Sequence, residues 1–106
     1  MTDLQSLILH NLKLGHDNAM PGKILALKCR LKGTRLLRKE LVELTKQKHR
    51  IGFSTRPPVG YYLIETPAEL EENCERLKGY ALQALEHRGY LLQDSKQIYG
   101  QLQLKV

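Results

Sequence analysis

Residues 34–47 limit the possible folds more than any other stretch. They place Leu37, Leu41 and Leu44 at spacings of four and three. Drawn as a helix at roughly 100° per residue, the leucines share one narrow face. Arg35, Arg38, Lys39, Val42 and Lys46 fall on the opposite side. Such a helix can bury only its leucine face, so the rest of the chain must build a core there and leave the other side to solvent. That outer stripe is basic apart from Val42 and the flanking Glu43.

A chain of 106 residues allows one domain. Its 42% hydrophobic and 26% charged residues match an ordinary folded domain rather than a disordered one. No apolar run approaches the roughly 18 residues needed to cross a bilayer. Asp3 and Asn11 stand where a signal peptide needs a basic start and an unbroken apolar stretch. The expected location is the cytoplasm, without membrane contact. Cys29 and Cys74 fit no metal-ligand spacing and are too few for a disulfide framework, so both are expected as buried thiols. Lys and Arg total 17 against 11 Asp and Glu, a formal +6 with a pI near 9.5, which predicts attraction to polyanions.

The other elements follow from their start and stop signals. Thr2 and Asp3 can cap a first helix reaching about Leu14, with Leu4, Leu7, Ile8 and Leu12 on one face and Gly15 as its end. Pro21 suits the first turn of a second helix running to about Cys29. Residues 30–33 make the turn into the third. Residues 50–54 and 60–65 carry β-branched and aromatic side chains around a loop of turn formers, which predicts a β-hairpin over 50–65. Two prolines stiffen its tip, and Arg56 is the only charge there. Strand alternation makes one of Tyr61 and Tyr62 a core residue and the other a half-buried packer.

Thr66-Pro67-Ala68-Glu69 is a capping-box start for a fourth helix over 67–88, with Gly89 as its stop. Leu70, Cys74, Leu77, Ala81 and Ala84 or Leu85 form a seam suited to packing on the domain or on a second copy. The organisation expected is a domain over 1–92 and a polar, glutamine-rich tail over 93–106, with a candidate strand at residues 102–106.

Three helices followed by a hairpin is the order of a winged helix-turn-helix, a mainly α fold with a β-hairpin, in which the third helix enters the major groove of DNA. Arg35, Arg38 and Lys39 in its first two turns are the candidates for base edges, and Lys46 and Arg56 for phosphates. Lys32, Thr34 and Val42 complete the candidate DNA-binding surface, with Arg30 and Arg50 as weaker flanking cations.

Several motifs carry a likeness to a known family. They are Asn18-Ala19-Met20, the spacing of Arg35, Leu37, Arg38, Leu41 and Leu44, Ile51, Gly60-Tyr61-Tyr62-Leu63, and Thr66-Pro67-Ala68-Glu69-Leu70-Glu71. Over about residues 4–85 the chain resembles small winged helix-turn-helix proteins common in phages and prophages. It departs from them at Gly33, where the family usually has serine, and at Lys48, where glycine usually ends the third helix. The resemblance implies double-stranded DNA binding, as a transcriptional regulator or replication accessory. Catalysis is not expected: His10, His16, His49 and His87 are scattered, neither cysteine has a histidine beside it, and no Gly-rich phosphate loop or serine elbow is present. No cofactor or metal is expected either. The alternative is a winged-helix protein-interaction module without specific DNA binding, with the fourth helix or the tail holding another protein; the fourth helix is also the candidate contact for a homodimer.

Overall fold

The computed structural model describes residues 1–98. Its elements are α1 (Asp3–Asn11), a 3-10 turn (His16–Asn18), α2 (Gly22–Lys28), α3 (Thr34–Lys46), β1 (Ile51–Ser54), β2 (Gly60–Leu63) and α4 (Pro67–Ile98). The fold is mainly helical, with one two-stranded antiparallel sheet and a long last helix. The chain divides into two compact units, Met1–Asn73 and Cys74–Val106. Among the described residues no helix is long and apolar enough to cross a membrane.

The core of the first unit joins Ile8 and Leu12, Leu25, Ala26 and Cys29, and Leu37, Leu41 and Leu44. Each fully buried leucine or isoleucine contributes roughly 1.5–3 kcal/mol. Thr2 and Gln5 form a reciprocal capping box at the start of α1, each backbone N–H reaching the other's side chain at 3.1 Å. Gln5 is itself buried and donates to Glu40 Oε2 at 2.8 Å, which links the first turn of α1 to the middle of α3.

Helix α1 stops at Asn11 rather than Leu14 because the following segment is drawn into pairing with β2. Leu63 N donates to Lys13 O at 2.8 Å and Gly15 N to Leu63 O at 2.9 Å. Met20 and Tyr61 exchange both backbone hydrogen bonds, at 2.9 and 2.8 Å. Strand β2 is therefore bonded along both edges, to β1 in the register Ile51 with Leu63 and Phe53 with Tyr61, and to the stretch before α2. Gly60 makes this approach feasible: its φ is +141°, and a Cβ there would overlap the Met20 carbonyl oxygen. Tyr62 is the buried member of the tyrosine pair and Tyr61 the half-buried one.

Helices α2 and α3 end in the same way. After α2, Arg30 N donates to Leu27 O at 3.0 Å and Leu31 N to Ala26 O at 2.9 Å. After α3, Lys48 N donates to Thr45 O at 3.0 Å and His49 N to Leu44 O at 3.1 Å. Both are Schellman motifs, and both put a cation where glycine is usual: Arg30 at φ 60° and Lys48 at φ 73°. Pro21 sits one position earlier than expected, as the N-cap of α2.

Thr66 and Glu69 form the expected capping box of α4, with Glu69 N donating to Thr66 Oγ1 at 3.2 Å and Thr66 N to Glu69 Oε1 at 3.4 Å. Helix α4 does not stop at Gly89 but continues to Ile98. A helical glycine costs about 1 kcal/mol relative to alanine, which the helix-compatible residues on both sides absorb. The Tyr90 hydroxyl spans the position by donating to Glu86 Oε1 at 2.9 Å. Cys29 is buried, and burial raises its thiol pKa, but Cys74 is exposed, contrary to expectation. The candidate strand at 102–106 lies outside the described residues.

Buried Asn73 joins the hairpin to α4. Its Oδ1 accepts from Phe53 N at 2.9 Å, and its Nδ2 donates to the Tyr62 hydroxyl and to Glu69 O, both at 2.8 Å. Asn73→Ala removes the acceptor of the half-buried Phe53 N–H and the donor to a buried hydroxyl, so it should lower unfolding free energy by about 2–4 kcal/mol. Urea denaturation measures this, and an unchanged midpoint would refute the role of Asn73. The Glu69 carboxylate accepts from the backbone of His16 at 3.0 Å, Glu65 at 2.8 Å and Thr66, and these bonds hold its pKa below the ordinary 4.5. Because the folded pKa is depressed, its contribution to stability is complete above pH 4.5 and is lost as pH falls through the lower folded value. Glu69→Gln should flatten that part of the acid limb of stability, which wild type and variant show when compared between about pH 5 and pH 3.

Candidate nucleic-acid interface

Burial of Leu37, Leu41 and Leu44 fixes the rotation of α3 about its axis. Arg35, Arg38, Lys39, Val42 and Lys46 are all exposed on the other side, as the spacing predicts. Lys46 pairs with Glu43 at 3.3 Å on the surface. Among the described residues Arg35, Arg38 and Lys39 form no salt bridge.

The stripe leads to a different neighbour on each side. Arg35 and Lys39 border an open cleft of about 600 Å³, whose other walls include Arg30 and Lys32 of the turn before α3. Its floor is apolar, from Leu31 and from Leu36, which is 44% exposed. Arg38 is close enough to Tyr61 of the hairpin for its charge to act there. Burial pushes the Tyr61 phenol above its usual pKa, and the nearby Arg38 charge pulls it partly back. Tyr61 stacks at a tilt on Phe53, with ring centroids 4.8 Å apart, and lies against Gly22 at the start of α2. The cationic stripe thus borders the α2–α3 turn through the cleft, and its Arg38 lies within electrostatic reach of the hairpin.

The start of α3 adds partial positive charge. Gly33 is its N-cap in extended conformation and supplies no side-chain cap, so the first-turn amides, beginning with half-buried Thr34, are left for an outside acceptor. Charge along the chain is strongly segregated. Residues 23–50 hold ten Lys and Arg against only Glu40 and Glu43, whereas residues 65–75 hold five glutamates and no cation. Glu40 is turned to Gln5.

Arg56 is placed differently from the rest. Its guanidinium bonds Glu72 through Nε at 2.8 Å and Nη2 at 2.7 Å, and its carbonyl lies 3.3 Å from His16 Nε2. Its partners belong to the His16–Asn18 turn and α4, not to α3. Sequence reasoning ranked Arg30 as a weak candidate, yet Arg30 stands in the cleft with Lys32, Arg35 and Lys39. It gave Leu36 and Tyr61 no place beside the stripe. The available signal for Leu36 was its position, one residue off the core leucines. For Tyr61 there was none, because its neighbour Arg38 is 23 residues away in the chain.

Comparison with models of protein families, with curated proteins and with solved structures finds no significant match to this chain. Among the described residues no group of three or more His, Cys, Asp or Glu is placed to hold a metal ion.

The left-handed backbone of Arg30 carries a steric penalty that glycine avoids. Arg30→Gly should therefore stabilise the fold by about 0.5–1 kcal/mol, net of glycine's greater freedom in the unfolded chain. A lower melting temperature for Arg30→Gly would contradict this account of the turn.

Proposed function

We propose that this protein binds double-stranded DNA as a winged helix-turn-helix module, with α3 in the major groove. The observation that carries the reading is the unpaired cationic stripe Arg35, Arg38 and Lys39, held outward by the leucines on the reverse face of the same helix. The order α1, α2, α3 and hairpin supports it, as does the pairing of β2 with the segment before α2. A helix about 10–12 Å across fits a groove about 12 Å wide. In this pose Arg35, Arg38 and Lys39 meet base edges and Val42 offers a methyl contact to thymine. Lys32, Lys46 and the amides from Thr34 onward meet phosphate. Arg30 joins them from the turn. Arg56 enters only as an ion pair, since a phosphate would have to displace Glu72.

The biological role proposed is that of a transcriptional regulator or replication accessory of phage type, in line with the family resemblance. Leu77, Leu82, Leu85 and Leu91 of α4 are exposed, which favours a protein contact as the second reading.

Fluorescence anisotropy with a labelled duplex tests the reading. Arg35→Ala with Arg38→Ala should weaken binding at least about tenfold, given roughly 1–3 kcal/mol for each good base contact, with thermal unfolding unchanged. If six cations neutralise phosphates, log affinity should fall against log salt with a slope of about −5. Equal affinity for the double variant, or a flat salt response, would remove α3 from the interface.

A further inference from the structure

The cleft beside the start of α3 carries chemistry that a phosphodiester backbone does not use. Its volume is about 600 Å³, and its walls bring together four cations, Arg30, Lys32, Arg35 and Lys39. Half-buried Leu31 and Leu36, which is 44% exposed, give it an aliphatic floor. Among the described residues no acidic side chain lines it. Gly33 lines it too, adding no side chain and leaving the first-turn amides of α3 uncapped. Arg30 holds its place there on left-handed backbone, φ 60°, where glycine would cost less and bring no charge.

The lining selects a ligand by what it offers. Arginine and lysine side chains only donate hydrogen bonds, and leucine does neither. A nucleobase amine or a sugar hydroxyl finds no side-chain acceptor here, and an ammonium group is repelled. Inorganic phosphate or a phosphodiester brings the anion but no alkyl surface to cover the leucines. An anionic head on an aliphatic body satisfies both halves of the site: the head meets the cations, and the body lies on Leu31, Leu36 and the apolar stems of the basic side chains. Size points the same way. The volume falls in the range of about 300–1,000 Å³ usual for small-molecule sites, whereas a protein partner engages about 20–30 residues a side and this cleft offers seven.

We propose that this cleft binds a single-chain anionic amphiphile, a carboxylate or phosphate head on an aliphatic chain. The site stands whether or not the protein binds DNA.

Isothermal titration calorimetry of the full chain with dodecanoate below its micelle concentration tests the site. One ligand per chain is expected, with acetate at least about tenfold weaker because it lacks the chain. Arg30→Gly and Lys39→Ala should each weaken dodecanoate binding about tenfold. Lys28→Ala removes the same charge from an exposed position outside the cleft and should change nothing. Leu36→Ser should weaken binding about fivefold, while Ile24→Ser, equally exposed at 44% but outside the cleft, should not. Arg30→Gly is expected to stabilise the fold, so a loss of binding there is not a loss of structure. No DNA is present, so failure here and failure of duplex binding are separate results. Acetate binding as tightly as dodecanoate, Lys28→Ala weakening it as much as Arg30→Gly, or Leu36→Ser matching the wild type would overturn the proposal. So would a wild type that ignores dodecanoate and binds instead an acidic, leucine-bearing peptide or vesicles of anionic lipid.

Discussion

The seating of Leu37, Leu41 and Leu44 in the core is the constraint on which the rest depends. It fixes the rotation of α3, and a slip of one residue would turn the helix by about 100° and carry arginine toward the core. An uncompensated buried charge is far too costly to tolerate, so the leucine face and the cationic face enforce each other. The polar link from Gln5 to Glu40 closes the edge between them and removes one of only two carboxylates that could have faced the stripe. Core packing and electrostatics are therefore two consequences of one register.

The hairpin is held by backbone more than by side chains. Strand β2 bonds to β1 on one edge and to Lys13, Gly15 and Met20 on the other, so its polar groups are satisfied without a larger sheet. Its two tyrosines then divide the work. Tyr62 is buried and bonded to Asn73, which ties the hairpin to the first turns of α4. Tyr61 lies half-buried within the field of Arg38, which brings the hairpin to the rim of the cationic stripe. Alternation along a single strand thus sends one ring to the core and the other to the candidate interface.

Segregated charge gives the net +6 its meaning. The basic stretch is concentrated on α2, α3 and their flanks, and the acidic stretch on the loop before α4 and its first turns. Glu69 and Glu72 there have structural duties, capping α4 and holding Arg56. Screening shortens the reach of exposed charge to about 8 Å at physiological salt, so what a polyanion meets is the local cluster and not the average. Arg30 and Lys48 sharpen the point, since each occupies a left-handed position that glycine would fill with less strain.

What the sequence determined alone is what short-range periodicity and capping chemistry can encode. The core and solvent faces of α3, the division between Tyr61 and Tyr62, the hairpin, and the Thr66 capping box were all legible because each is written in local periodicity, capping or turn chemistry. Tertiary structure decided the rest. Pairing of residues 13–20 with β2 shortened α1, Arg56 was drawn to Glu72, and Arg30 was brought into the cleft beside Lys39. Helix α4 ran through Gly89, and Cys74 was left exposed, because intrinsic propensity is a weak prior and no local signal tells whether a helical seam has a partner. Contacts between residues far apart in the chain exist only once the core has closed, and that is why periodicity cannot announce them.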